Sequence, residues 1–338
     1  MLPQPLFPLV EKPALVGIAR LASQGDSLRE GHKVEYFTLP TKSLLNRCAS
    51  RRGLPFTWTI NPYRGCEFGC KYCYARYTHE FMEMRDGADF EQKIYVKQHA
   101  ADLLRHELRQ VKPGEAIALG TATDPYQPAE RRYLVTRTIL EEFARHRGFE
   151  LGIVTKSNLV VRDLDLLQAV ARSNRLSINM TITTLDTDLA RILEPRAPRP
   201  DLRLEAVRQL AGAGLTVGIS CSPVLPGITD SPQNLEAVVQ AAAAAGARHL
   251  FAGPLFLKPS SAAVFLPFLA ENFPHLVENY SQRYQDRAFL PPAYGKRLSQ
   301  LMTRLREKHG LGHDQRREPA TFATKWPAQA FDEQLSLF

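Results

Sequence analysis

From Thr57 to about residue 257, short β-rich runs alternate with amphipathic stretches. The runs at 58–61, 94–96, 116–119, 151–154, 176–183, 216–220 and 249–252 predict strands. Between them, 131–146, 164–173, 201–213 and 232–245 carry apolar positions at helical spacing and predict helices. Such alternation builds βαβ units, a parallel sheet with helices outside. About six repeats suit a barrel or partial barrel better than a small open sheet, although periodicity alone leaves the choice open. Residues 1–56 have scattered Pro and Gly with no sustained period, and are expected to form an irregular extension. Residues 258–312 read as helices packed after the sheet, and 313–338, polar and Pro/Ala-containing, as a flexible tail.

Composition narrows the class. The chain has 338 residues, 44% hydrophobic and 23% charged, which excludes disorder throughout and fibrous architectures. No apolar run is long enough to span a bilayer; the poly-alanine at 241–245 belongs to a helix pattern. The start, MLPQPLFPLVEKP, lacks a basic segment followed by an apolar core, so no signal peptide and a cytoplasmic location are expected. The net charge of +8 favours an anionic partner. Part of the excess lies in one stretch, with Lys296, Arg297, Arg304, Arg306 and Lys308 close together. These are candidate DNA contacts, the ordinary alternative being a solvated helix face.

Of five cysteines, three form Cys66-x3-Cys70-x2-Cys73 in NPYRGCEFGCKYCYARYTHEF (61–81), after a predicted strand. An odd, clustered count argues against a disulfide framework and for a metal or catalytic site. Three thiolates on a tight loop can hold one soft metal centre. A structural zinc site wants four closed ligands, and His79 is the nearby candidate for a fourth. An iron–sulfur cubane on three cysteines leaves one iron open instead. Gly65 and Gly69 allow the backbone to fold tightly around the sulfurs.

This motif, with Tyr72 just before the last cysteine, resembles the signature of the radical S-adenosylmethionine (radical SAM) enzymes. Its surroundings are similar to the subgroup that includes spore photoproduct lyase and its bacterial relatives. The likeness continues through GTATDPYQPAE (120–130), VTKSNLVVRDLDLL (154–167), LEPRAPRPDLRLEAVRQLAGAGL (193–215) and SPVLPGITD (222–230), covering about 57–257. The resemblance implies an α/β fold, a partial (β/α)6 TIM-like barrel of the radical SAM type, followed by C-terminal helices. It implies that Cys66, Cys70 and Cys73 hold a [4Fe–4S] cluster whose open iron binds S-adenosylmethionine. One electron, from a donor such as flavodoxin or ferredoxin, would release a 5′-deoxyadenosyl radical that takes a hydrogen atom from substrate.

It further marks Tyr72, Thr121, Thr123, Asp124, Tyr126, Lys156, Ser157, Asn179 and Glu194 as candidate cofactor contacts at the strand ends. The alternatives are ordinary ones. Asp124-Pro125 is good turn chemistry, Lys156 could be a solvated loop lysine, and Glu194 could pair with Arg196 or Arg203. Asn179 inside a strand runs against propensity and mildly favours a role. Cys221, at the end of a predicted strand, is a candidate hydrogen-atom donor, or a small buried hydrophobe.

The chain ends Gln334-Leu335-Ser336-Leu337-Phe338. This resembles the pentapeptide that binds the bacterial sliding clamp at every position, and a free tail could place Leu337 and Phe338 in an apolar pocket. Together these features predict a radical SAM enzyme of lyase type that repairs DNA and is recruited by the clamp. The alternatives are a radical SAM enzyme modifying RNA or protein, and a non-enzymatic metal-binding clamp adaptor.

Overall fold

The computed structural model describes residues 15–30, 34–48, 54–84, 86–285 and 287–311. Among the described residues, eleven strands form two sheets. The smaller sheet joins β1 (Ser27–Glu30), β2 (Glu35–Leu39), β5 (Tyr63–Arg64) and β6 (Lys93–Lys97) in the order β1-β2-β6-β5. The larger contains β3 (Leu45–Arg47), β4 (Trp58–Ile60), β7 (Ala116–Leu119), β8 (Glu150–Thr155), β9 (Arg175–Thr181), β10 (Val217–Val224) and β11 (His249–Pro254). Its order is β11-β10-β9-β8-β7-β4-β3. Six of these strands are parallel, and β3 lies antiparallel on β4. The order runs from β11 to β3 without rejoining, so the sheet is an open arc of six βα units.

Alternation along the strands sorts side chains between two faces. Ile60, Ile117, Leu119, Leu151, Ile153, Leu176, Ile178, Met180, Val217 and Ile219 join the main apolar core. That core includes Leu167 and Val170 of the helix Leu164–Ser173, Val207 and Leu210 of Pro200–Gly212, and Leu235 and Val239 of Pro232–Ala244. The intervening positions are Thr59, Ala118, Gly152, Ser177, Asn179, Thr181, Gly218, Ser220 and His249. The face away from the helices is therefore small and polar, which leaves room for a ligand. Beyond the strand tops, Tyr74 of the cysteine loop bridges two strands of the arc: its hydroxyl donates to the Thr121 carbonyl after β7, while its ring lies 5.5 Å from Phe256 after β11.

Three expectations are corrected. The stretch expected to be irregular supplies the helix Gly17–Ser23 and three strands, short pieces stabilised by distant pairing: β2 pairs with β6 and β3 with β4. The strand expected at 94–96 belongs to the smaller sheet and not to the βα series. The helix expected over 131–146 is broken at Leu134, where φ is +55°, into Glu130–Tyr133 and Val135–Ala144. The C-terminal helices Pro259–Asn272, Val277–Tyr284 and Pro292–Lys308 form as expected. Among the described residues, no helix is long and apolar enough to cross a membrane. The expected tail, with residues 334–338, lies outside the described residues.

Candidate active site

The cysteine loop leaves β5 at Gly65, where φ is +83° and a Cβ would stand 2.7 Å from the Lys93 carbonyl and 2.9 Å from that of Phe90. Only glycine fits that approach. The loop is fixed by its backbone. The Cys66 amide donates to the Phe90 carbonyl at 2.8 Å and the Lys71 amide to that of Leu193 at 2.9 Å. The Gly65 carbonyl accepts from Thr123 Oγ1 at 2.6 Å and Gln127 Nε2 at 3.0 Å. Buried Arg76 donates to the Cys70 carbonyl at 3.0 Å, and Ser261 Oγ to that of Cys73 at 2.9 Å. Cys66, Cys70 and Tyr72 share an apolar cluster with Phe265, Phe268, Leu269 and Tyr280, so the C-terminal helices cover the loop.

None of the three cysteines is in a disulfide; Cys66 and Cys70 are buried and Cys73 is half-buried. Burial pushes the Cys70 thiol up to about 12, and burial followed by the charges of Asp124, Cys70 and Cys73 raises Cys66 well above the ordinary thiol range. Among the described residues, no three His, Cys, Asp or Glu side chains converge on one metal ion. A cubane does not require that convergence, because each thiolate takes a different iron. His79, the fourth zinc ligand weighed from the sequence, lies at 3.1 Å from the Lys93 carbonyl, against Phe90 and Tyr95. Burial holds its pKa down at about 4. Three soft donors on a preformed, glycine-shaped loop therefore fit an iron–sulfur cluster better than a closed zinc site.

Around the loop, the strand ends supply charge. Lys156 follows β8, and its ammonium lies 5.6 Å from the centre of the Tyr72 ring. Burial works against that charge, but Cys70 and Glu194 hold its pKa above the usual lysine value. Glu194 ends the helix Thr187–Leu193 and is 2% exposed. It accepts from the Tyr72 hydroxyl and from Nη2 of Arg203, itself 1% exposed. Burial would raise its pKa; Arg203, Lys156 and Tyr72 together hold it below the ordinary carboxylate range. Arg203 also donates to the Pro198 and Thr181 carbonyls at 2.7 and 3.0 Å, which ties the pair to the top of β9.

The other sequence candidates divide. Asp124 accepts from Thr155 Oγ1 and the Lys156 amide, both at 2.7 Å, joining the ends of β7 and β8. Thr121 Oγ1 accepts from Asn61 Nδ2 at 3.3 Å, at the end of β4. Asn179 Oδ1 meets His249 Nε2 at 2.9 Å across the inner face, over Gly218, where a Cβ would collide with the imidazole. Thr123 supports the loop. Ser157 caps the turn Asn158–Asp163 through the Leu159 amide at 3.3 Å, and Tyr126 lies in the outer core. Cys221 is also in that outer core, fully buried, with its thiol pushed up to about 12 by desolvation. The period of two points it at the helices and away from the inner face, so the hydrogen-donor reading of Cys221 gives way to the small-hydrophobe one.

On the helix Pro292–Lys308, Lys296, Arg297 and Arg304 are exposed. Arg306 instead donates to the Leu250 carbonyl at 3.0 Å, and Lys308 pairs with Glu236 at 2.5 Å. Sequence reasoning missed Asn61 and Gln127; Arg203 it weighed as one of two possible partners of Glu194, and the structure forms that pair. Arg203 left a signal, since it stands on the stripe 203, 207, 210 that buries Val207 and Leu210.

Comparison with known proteins agrees with this geometry. The Radical SAM superfamily matches residues 60–238. Uncharacterized protein Rv2578c of Mycobacterium tuberculosis is 38% identical over 291 residues, spanning 86% of this chain and 85% of its own length. Uncharacterized protein MJ0683 of Methanocaldococcus jannaschii is 30% identical over 173 residues, 51% of this chain and 62% of that one. Among solved structures, a spore photoproduct lyase complexed with dinucleoside spore photoproduct superposes with a TM-score of 0.61 at 18% identity, over 81% of this chain and 79% of the other. Streptococcus suis SuiB bound to precursor peptide SuiA gives 0.50 at 15% identity, over 75% and 46%. At these identities the structural likeness is one of fold. The match over more than half the chain, on a parallel βα arc with three cysteines beyond its first strand, makes this chain a member of the radical SAM superfamily, whose cofactors are a [4Fe–4S] cluster and S-adenosylmethionine.

Proposed function

We propose that this chain is a radical SAM enzyme that acts on damaged DNA, in a lyase-type repair reaction. The observation that carries the chemistry is the placement of the cysteine loop. It is sealed on one side by the C-terminal helices and opens on the other toward a small-polar face lined with charge at its rim. Cys66, Cys70 and Cys73 would hold the cluster. When bound, it supplies the electron that converts S-adenosylmethionine into a hydrogen-abstracting 5′-deoxyadenosyl radical.

The chain's own residues bind, orient and exclude. Lys156 is the cation placed to meet the carboxylate of the cofactor's methionine part. Each oxygen of Glu194 accepts one bond, from Tyr72 and from Arg203, so we assign it to positioning: it fixes Tyr72, and with it the loop between Cys70 and Cys73. Asn179, held through its oxygen by His249, keeps its amide N–H groups for a ligand on the inner face. Phe265, Phe268 and Tyr280 keep water from the back of the loop.

The DNA reading is supported by the lyase-like motifs, by the fold shared with spore photoproduct lyase, and by Lys296, Arg297 and Arg304 exposed on one helix. Flavodoxin or ferredoxin is the proposed electron donor. Clamp recruitment rests on the match of residues 334–338 alone; deleting them should abolish binding to purified clamp while cofactor cleavage continues.

The test of the enzyme is anaerobic. The protein is reconstituted with iron and sulfide and reduced, and 5′-deoxyadenosine is measured with and without ultraviolet-irradiated duplex DNA. A rise with damaged DNA supports the reading. Formation indifferent to DNA keeps the chemistry and removes the substrate. No formation with a complete cluster favours the metal-binding adaptor.

A further inference from the structure

Within residues 65–72 of the cysteine loop, Lys71 alone reaches solvent, and the residues around it are buried. Its backbone amide donates to the Leu193 carbonyl at 2.9 Å, which sets it against the end of the helix Thr187–Leu193. That helix is two-sided. Leu189 and Leu193 pack into the apolar cluster that holds Cys66 and Cys70, whereas Arg191 and Ile192 face outward, Ile192 at 38% exposure. Arg191 Nη1 donates to the Pro195 carbonyl at 3.0 Å. The next residue, exposed Arg196, returns to the loop, its amide donating to the Phe68 carbonyl at 3.2 Å. Its Nη2 would stand 3.4 Å from a Cβ at Gly69. Lys71, Arg191 and Arg196 thus form one continuous surface with Ile192, a single layer of side chains from the buried cysteines. The acidic groups beside it leave positive charge in excess. Glu91 is shared by Arg76 and Arg196 at 3.3 and 3.8 Å, and Asp188 stands in the first turn of the helix.

The other sides of the loop are taken. Phe265, Phe268 and Tyr280 of the C-terminal helices cover one, and the inner face of the arc is kept for cofactor and substrate. Tunnelling falls steeply with the thickness of protein an electron must cross, which favours the thin cationic side. We propose that the surface of Lys71, Arg191, Ile192 and Arg196 is the docking site of the reductant, an acidic one-electron carrier protein. This rests on the reading that Cys66, Cys70 and Cys73 hold the cluster, and is independent of the DNA reading. In the step it serves, one electron leaves the reduced flavin or iron–sulfur centre of the carrier, which is oxidised by one, and enters the cluster, which is reduced by one. No covalent bond forms or breaks. Cations around one exposed aliphatic side chain suit a brief encounter of small area, steered by charge and released after transfer.

The test uses the cluster-loaded protein with flavodoxin and, separately, ferredoxin as the carrier. Affinity is measured by titration. Cluster reduction is followed by electron paramagnetic resonance of rapidly frozen samples, with dithionite as a small reductant that needs no docking. At low salt the double variant Lys71→Glu/Arg191→Glu should bind the carrier about tenfold more weakly, and the difference should close near 1 M salt, where the screening length is about 3 Å. Its reduction by the carrier should slow in parallel, while reduction by dithionite matches the wild type. Arg172→Glu, at an exposed charge on the helix Leu164–Ser173, should change either quantity by less than about twofold. Lys71 adjoins a cluster ligand, so Arg191→Glu is also read alone, and iron per chain is measured for each variant. A double variant that binds and is reduced as the wild type is would overturn the proposal, as would an equal loss in Arg172→Glu. A wild type reduced by dithionite that binds neither carrier would overturn the acidic partner. A chain that assembles no cluster would overturn the reading beneath the proposal, and the iron content separates that case from the others.

Discussion

Lys97 makes a prediction that needs no substrate. Burial, with Arg64 close by and Glu107 only partly offsetting, lowers its pKa from 10.5 to about 7. Its folded pKa thus lies below its unfolded one, and between them the unfolded chain binds more protons than the folded chain. Stability therefore rises with pH across that window, and the full penalty applies below it. At pH 7 the unfolded lysine is charged while the folded one is half-neutral, so its burial costs on the order of 4 kcal/mol. Near pH 9.5 most of that has gone, and about 1.4 kcal/mol remains. Lys97→Met keeps the volume and removes the charge. The variant should be more stable than the wild type at pH 7 by about that first amount, with the gap closing by roughly two thirds at pH 9.5. The assay is urea unfolding of the metal-free chain in paired samples at the two pH values, without phosphate. A gap that does not change with pH, or a variant less stable at pH 7, would refute the claim that burial lowers the Lys97 pKa.

Other predictions concern the loop and the charges. Gly65→Ala should lower iron incorporation more than Gly69→Ala, measured as iron per chain after reconstitution. Both glycines have positive φ, but a Cβ at Gly65 meets backbone carbonyls, whereas at Gly69 it meets the movable Glu91 carboxylate at 2.5 Å. Glu194→Gln leaves Arg203 buried without its counter-charge and should cost about 3–5 kcal/mol in urea unfolding, whereas Tyr72→Phe, losing one donor, should cost about 1–3. Arg304→Glu should flatten the dependence of DNA affinity on salt, while Arg306→Glu, which breaks the bond to the Leu250 carbonyl, should act on stability. An equal slope change in both would contradict the distinction drawn between them.

The strands of the larger sheet that carry the site were legible because each pairs with a neighbour one βα unit away and buries one face on the intervening helix. Leu176, Ile178 and Met180 show this within a single strand. The smaller sheet was not legible. β2 is five residues long, only Leu39 is fully buried in it, and its partner β6 lies beyond the cysteine loop. No local pattern announces such a pairing. The cluster cysteines were visible because ligand chemistry fixes their type and spacing. For Cys221 the sequence left the donor and the buried-hydrophobe readings both open, because a strand end seen in sequence does not by itself say which face a side chain takes. The period of two, counted from Val217 and Ile219, does say so.

The same count shows what the charged rim adds. Inward positions on the arc are small, so the inner face alone could accept many ligands. What restricts it is a pair of charged groups at its rim: Lys156 beside Tyr72, and the Glu194–Arg203 pair behind it. Both lie with the cysteine loop, and on the function proposed above they suit the cofactor. Lys156→Met should then weaken S-adenosylmethionine binding while cluster assembly continues, which iron content and S-adenosylmethionine affinity measured on the same preparation would separate. Parallel loss of both would show that the two roles are not divided in this way.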